Sequence, residues 1–353
     1  MRETLVDLLQ CPLCASADLA LTVHVRDERE IREGELVCES CGAQIPIHKG
    51  VVQALLNPPP QVAAEAIGWV DLLDVPEKQH EFRDDWILAL PFIRPEQTPE
   101  PDSVQVWHQV GRHFFDWLDR FDWQGQRVLE IGAGRCWGVA ELARRGAYAV
   151  GLDILSHKYL GLETADVWLL HKRLYFERVL GDMHQLPFRP GVFDYVVTTA
   201  SLHHTDRLEV VLREAARVLT PMGRALFLNE PVIADYMPRP DLTDSPEVAR
   251  GIIESRPFLK EWLGAFRSAG FYVGRISFDD GLHVLLNKDV TVRSAGLSTR
   301  VVVAIVRKWA TVARAWMLEL ARRAPSAPRY YWGTASEAVK RGWRRAFGRD
   351  IEG

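Results

Sequence analysis

The stretch from Val128 to Ile154, "VLEIGAGRCWGVAELARRGAYAVGLDI", restricts the fold of this chain more than any other segment. Val128 to Ile131 reads as a short buried strand. Gly132 and Gly134 allow a tight turn, and Val139 to Arg145 has helical spacing. "YAVGLDI" is then a second strand, with Asp153 at its carboxyl end. The glycines let the backbone approach a ligand closely, and the succeeding helix points its free amides at the turn. Asp153, about 20 residues after the glycines, stands where an acid can accept both hydroxyls of a ribose. The turn is built to hold a nucleoside. Taken this far, a nicotinamide dinucleotide fits as well as any other.

A second constellation lies near the start of the chain. Cys11, Cys14, Cys38 and Cys41 form two C-x-x-C knuckles with 23 residues between them. Such knuckles supply four thiolates to one tetrahedral ion, so the reading is a structural zinc site, with iron on the same ligands as the alternative. "LALTVHVRD" and "GELVCES" read as short strands, and "QIPIHKGVVQALL" closes the unit. This unit resembles the zinc-ribbon leader that precedes some bacterial methyltransferases, including rRNA guanine methyltransferases, over about the first 56 residues. Three successive prolines in "NPPPQ", Asn57–Gln61, set a domain boundary there. From Val62 to Trp123 the chain is interrupted by prolines and rich in tryptophan, an expected anchor to the core or a lid over a site.

The residues beyond Asp153 separate the nucleoside cofactors. "VLGDMHQLPFRPGVFDYVVTTASLHH" puts Asp182 and Met183 after a third strand and leads through a fourth strand to two histidines. "RLEVVLREAARVLTPMGRALFLNEP" then gives an amphipathic helix, a turn at Pro-Met-Gly and a fifth strand. In this order the motifs resemble class I S-adenosylmethionine-dependent methyltransferases from about Trp107 to Ile276, including "AGF" at Ala269–Phe271 before a sixth strand. Two positions depart from the pattern: Met222 stands where a second glycine is usual, and Cys136-Trp137 is bulky beside the glycine turn.

The resemblance implies an α/β fold: a Rossmann-like seven-stranded methyltransferase sheet with a small N-terminal zinc ribbon and a helical C-terminal extension. It implies that Glu130, Gly132 and Gly134 surround the methionine part of S-adenosylmethionine. Asp153 would bind the ribose and Ile154 would pack on the adenine. Asp182 would accept from the adenine amine, with the Met183 amide on a ring nitrogen and Thr199 to Ser201 beside the sulfonium. His203 and His204 come after the fourth strand at the mouth where an acceptor arrives, and either imidazole could take its proton. Glu230, after the fifth strand, is the third candidate for a catalytic role. An insertion from Val232 to Arg256 is expected to contact substrate.

From Lys288 to Gly353 there are 14 Lys and Arg against 5 Asp and Glu, although the whole chain carries a net charge of -4. Val302, Ile305, Trp309, Val312, Trp316 and Leu320 recur at helical spacing beside an arginine stripe, which reads as a basic amphipathic helix. Packing on the catalytic domain, an anionic membrane surface and nucleic-acid phosphates all suit it. Apolar runs fall short of a membrane span, and no leader pattern opens the chain, so a cytoplasmic location is expected.

The expected divisions are 1–56 (zinc ribbon), 57–106 (Pro-rich linker and helical lid), 107–287 (methyltransferase domain) and 288–353 (basic helical tail). The expected activity is methyl transfer to a small molecule such as a sugar, a lipid-linked acceptor or a secondary metabolite. RNA is the alternative acceptor. A non-catalytic cofactor-binding or zinc-ribbon adaptor is the alternative class.

Overall fold

The computed structural model describes residues 1–288; the basic tail read from the sequence as 288–353 lies, but for Lys288, outside the described residues. The central feature is one continuous sheet of eleven strands among those residues. At its centre lies β5 (Arg127–Ile131), whose Val128, Leu129 and Ile131 are buried as a strand covered on both faces requires. Parallel to it run β6 (Tyr148–Asp153) and β7 (Glu177–Leu180) on one side, and β8 (Phe193–Thr199) and β9 (Leu219–Glu230) on the other. Next to β9, β11 (Leu282–Asn287) pairs antiparallel and is itself paired with β10 (Tyr272–Ser277). These seven strands, in the order β7-β6-β5-β8-β9-β11-β10, are the sheet expected from the sequence.

The leader extends that same sheet. Strands β1 (Leu19–Arg26), β2 (Ile31–Cys38), β3 (Gln44–His48) and β4 (Val51–Gln53) form an antiparallel meander, and β4 pairs parallel with β7 through Val52 and Val179. Polar contacts fix the junction. Arg178 on β7 is buried against Glu30, and Arg32 bridges Glu30 and Asp166 at 2.6 and 2.8 Å. The knuckle region is tied to the loop after β7 as well. Gln185 Nε2 donates to the Pro12 carbonyl at 2.6 Å, and Arg189 donates to the carbonyls of Leu9 and Ala17 at 2.9 and 3.0 Å.

Two local readings change. Pro221-Met222-Gly223 lies within the span of β9. There the register with β8 jumps between Phe193 and Tyr195, so the tripeptide is an outward bulge that leaves Met222 exposed. Residues 60–118 are more regular than their prolines suggest: α1 (Pro60–Leu73) and α3 (Pro101–Leu118) each begin on a proline, which costs no hydrogen bond at a first helical position. Between them lie a short turn at Pro76–Glu81 and α2 (Asp84–Ile87). Trp86, Phe114, Trp117 and Trp123 from this region are buried in the core, as aromatic anchors should be. The remaining α-helices among the described residues are α4 (Trp137–Arg144), α5 (Ala165–Lys172), α6 (Leu208–Val218) and α7 (Leu259–Ser268).

Candidate active site

Above the carboxyl ends of β5, β6 and β8, where ligands of open α/β sheets bind, is a cavity of about 480 Å³. Its floor includes Gly132, Gly134, Asp153, Ile154, Met183, Thr199 and Ser201. Its cover comes from residues of α1, the turn Pro76–Glu81 and α3, so the tryptophan-rich segment both anchors in the core and lines the cavity.

The glycine turn has the geometry its residues allow. Gly132 sits at φ +74°, and a Cβ there would meet Ser201 Cβ at 2.5 Å. Gly134 sits at φ +46° with open space on its Cβ side. Its amide donates to Asp153 Oδ2 at 2.8 Å, and the Leu155 amide donates to Oδ1 at 2.9 Å. Burial pushes the Asp153 carboxyl up to about 6, against the pull of those amides. At neutral pH it is an oriented carboxylate on the cavity wall. The Thr199 hydroxyl oxygen is buried with no hydrogen-bond partner among the described residues. A nucleoside cofactor therefore fits the residues present.

Four of the expected site residues do not line the cavity. Glu130 turns beneath the start of α4, where a Cβ on Gly138 would collide with its Oε1. Its Oε2 is buried without a partner among the described residues, and burial pushes its carboxyl up to about 8. Asp182 holds His184, accepting from its amide at 2.8 Å and facing Nδ1 at 2.6 Å, while His184 Nε2 meets the Thr205 hydroxyl at 2.6 Å. Glu230 is fully buried and accepts from the amides of Ser201, Leu202 and His203, with His203 Nδ1 at 2.9 Å. Burial alone would raise the Glu230 carboxyl, but His203 and those amides hold it below its ordinary range. Glu230 and His203 are thus a buried pair that shapes the turn after β8, and the reading of either as a group at the acceptor is corrected.

His204 does line the cavity. Its Nδ1 donates to the Ile253 carbonyl at 2.7 Å, which leaves Nε2 as an unprotonated acceptor, and its ring meets Trp69 edge-on at 5.1 Å. Burial pushes it down to about 3, so the ring is neutral at working pH. The insertion from Val232 to Arg256 supplies that carbonyl, and its Ser255 binds the His203 carbonyl, but none of its residues lines the cavity. It supports the two histidines.

Sequence reading missed the lid's polar groups. Glu65 on α1, Lys78 and Glu81 on the turn, and Arg135 after Gly134 line the cavity, beside Trp69 of the tryptophan-rich segment. Burial pushes the Glu65 carboxyl up to about 8. Arg135 could have been singled out from its place in the glycine motif; the others carry no local signal.

At the leader, Cys11 and Cys41 Sγ lie 3.6 Å apart, as do Cys14 and Cys38, and all four sulfurs fall within 4.8 Å of one another. A tetrahedron with metal–sulfur bonds of about 2.3 Å has edges of about 3.8 Å, so the group can hold one metal ion.

Comparison with known proteins agrees with both halves. Residues 129–227 match the family described as "Methyltransferase domain", and residues 2–50 match "Trm112p-like protein". A fatty-acid O-methyltransferase of Mycolicibacterium smegmatis is 31% identical over 193 residues, covering 52% of this chain and 59% of that protein. A demethylmenaquinone methyltransferase of Corynebacterium glutamicum is 33% identical over 120 residues, 34% of this chain and 46% of that one. The chain thus spans about half the length of these relatives. Geranyl diphosphate C-methyltransferase of Streptomyces coelicolor shares the fold, with a TM-score of 0.51 at 14% identity over 65% of this chain and 98% of that one. Sheet order, glycine turn and family matches together identify a methyltransferase domain of the class I S-adenosylmethionine-dependent type, joined to a Trm112p-like four-cysteine leader.

Proposed function

We propose that the chain transfers a methyl group from S-adenosylmethionine to a small, mainly apolar acceptor of lipid type. The observation that carries this reading is the joining, in one cavity, of the Asp153–Gly134 nucleoside cradle to an apolar wall of Val106, Trp107, Val110 and Trp137. Such a wall favours an apolar chain or ring and offers a polynucleotide few partners. The relatives named for fatty-acid and demethylmenaquinone methylation support the same acceptor class.

When bound, S-adenosylmethionine supplies an electrophilic methyl group on a sulfonium. The residues of the chain contribute position. Asp153 would accept the ribose hydroxyls, Ile154 and Met183 would flank the base, and the Gly132–Gly134 backbone would hold the amino-acid end. Thr199 and Ser201 would stand beside the reacting centre. His204 Nε2 would accept a hydrogen bond from the acceptor. Because that ring resists protonation, its role is orientation. The His203–Glu230 pair holds the turn that carries Ser201 and His204.

The same proposal assigns a structural Zn²⁺ to Cys11, Cys14, Cys38 and Cys41, since four thiolates leave no open coordination position. It also takes 1–56, 57–106 and 107–287 as leader, lid and catalytic divisions, and a cytoplasmic site of action. No helix among the described residues is long and apolar enough to cross a membrane. The test is transfer of label from methyl-labelled S-adenosylmethionine into a cell extract separated into lipid, small-molecule, protein and RNA fractions, with Asp153→Ala as the blank. Label in the lipid or small-molecule fraction supports the proposal. Label in RNA alone overturns the acceptor class, and bound cofactor with no transfer to any fraction overturns the activity.

A further inference from the structure

His203, His204 and Glu254 bring one nitrogen or oxygen each to within 4.8 Å of one another, where the turn after β8 meets the insertion from Val232 to Arg256. The two rings lie 4.0 Å apart, centre to centre. Each imidazole has already committed its Nδ1 hydrogen: His203 donates to Glu230 Oε2 at 2.9 Å, and His204 donates to the Ile253 carbonyl at 2.7 Å. A neutral ring held in this way carries a bare lone pair on Nε2. Glu254 turns Oε1 to Arg256 and Oε2 to the rings, 3.7 Å from His203 Nε2 and 3.4 Å from His204 Nδ1. Neither neutral ring has a second hydrogen to offer that oxygen. Three electron-pair donors therefore gather with no proton between them.

The side chains of His203, His204 and Glu254 are 11, 13 and 7% exposed, so bulk solvent screens them little, and Glu230 is fully buried behind His203. Shielded donors of this kind call for a cation among them. The far side of each ring has the arrangement found at metal sites, where a ligating imidazole gives its other N–H to a carboxylate or a backbone carbonyl. With metal–ligand bonds of about 2.1 Å, the ligand atoms around one ion stand about 3.0 to 3.4 Å apart, so the pair at 3.7 Å needs to close by about half an ångström at most. Two imidazoles and one carboxylate suit a divalent first-row transition ion, whereas magnesium and calcium prefer oxygen ligands alone.

We propose that His203 Nε2, His204 Nε2 and Glu254 Oε2 form a site for one divalent first-row transition ion, separate from the four-cysteine group of the leader. Three protein ligands leave room in the coordination sphere for water or another oxygen donor. The ion clamps the insertion to the turn after β8, the two segments that supply its ligands. The site does not depend on the proposed methyl transfer. Where that reading holds, an ion on His204 Nε2 takes the place of the hydrogen bond offered to the acceptor, so metal content governs how the acceptor is held.

The test is titration of Mn²⁺ into the full chain with its leader metal in place, since manganese binds thiolates poorly and leaves the four cysteines alone. Electron paramagnetic resonance counts the free Mn²⁺ and so gives the stoichiometry, and Mg²⁺ is the comparison ion. One Mn²⁺ per chain is expected, bound about tenfold or more tighter than Mg²⁺. Glu254→Gln and His204→Ala should each weaken Mn²⁺ about tenfold or more. Mn²⁺ should also raise the melting temperature of the unaltered chain, and Glu254→Gln should lose that rise while its own melt shows that it is folded. No bound Mn²⁺, an affinity unchanged in both variants, or Mg²⁺ bound as tightly as Mn²⁺ overturns the proposal. The first of these outcomes would mean that a proton on His203 Nε2 fills the gap to Glu254. None of the readouts uses the cofactor, so their failure leaves the methyl-transfer reading standing.

Discussion

Gly134 donates its amide hydrogen to Asp153 Oδ2 over 2.8 Å, so the glycine turn and the acid that ends β6 are one unit. The Leu155 amide fixes the other oxygen of this cavity-lining carboxylate. Asp153→Ala should cost about 3 kcal/mol of S-adenosylhomocysteine binding, roughly a hundredfold, from the loss of charge-assisted hydrogen bonds. Calorimetry checks it, and affinity retained in that variant would refute the assignment. Because burial pushes this carboxyl up to about 6, affinity should fall as pH drops from about 7.5 to about 5.5, and Asp153→Asn should show a flat profile over that range.

The Glu230 carboxylate serves three backbone amides and the His203 ring at once. Glu230→Ala leaves those donors buried and unpaired, and should lower unfolding stability by about 3 kcal/mol in denaturant titration. The carboxyl is held below its ordinary range in the folded state. Its contribution is therefore present above the unfolded pKa and lost as pH falls through the folded one. An equally stable variant would mean that the turn after β8 is held by other contacts.

Gly132 has no tolerance for a side chain. Its φ of +74° and the 2.5 Å approach to Ser201 Cβ mean that Gly132→Ala must shift the turn. We expect a loss of about 2 kcal/mol in stability, together with S-adenosylhomocysteine binding too weak to measure by calorimetry. Gly134→Ala faces open space and should lose less stability, though its positive φ still carries strain.

Glu130 is an acid the fold keeps protonated. Burial raises it to about 8, so between its unfolded pKa and that value the native state holds a proton the unfolded chain has lost, and stability declines as pH rises. Glu130→Gln removes this slope. The variant should gain on the parent by about 1 kcal/mol or more between about pH 5 and pH 8 in paired thermal melts, and parallel curves for the two proteins would rule the account out.

The four cysteines should bind one metal ion per chain, measurable by elemental analysis of the purified protein. Chelation should lower the melting temperature, because the knuckle residues carry the carbonyls that Gln185 and Arg189 hold. Cys11→Ser with Cys14→Ser should reproduce the chelated melt, and unchanged melting with metal removed would detach the ion from the stability of the sheet.

Much of the scaffold was legible in the chain itself, because local chemistry decides it. Two closely spaced glycines between apolar runs allow little else than a strand–turn–helix, and Asp153 at the end of the next strand is placed by a period the sequence displays. Paired C-x-x-C knuckles likewise announce four sulfurs on one centre. Which way a side chain turns is decided by what packs against it. Glu130 and Asp153 are both acids at strand ends, but one is capped by α4 and the other opens on the cavity. His203 and His204 are neighbours, and only the contact of one with Glu230 and of the other with the Ile253 carbonyl separates a buried support from a cavity wall.

The sequence alone therefore determined the strand–turn–helix of the glycine cradle, the acid at the end of the next strand and the metal-type cysteine set, since each depends on residue type at short spacing. Tertiary structure decided that the leader shares the catalytic sheet through β4 and β7. It also decided that Arg135 meets Glu81, 54 positions earlier in the chain, and that the insertion braces the histidines. Those relations join residues far apart along the chain, where burial and hydrogen-bond satisfaction act only once the chain has folded around them.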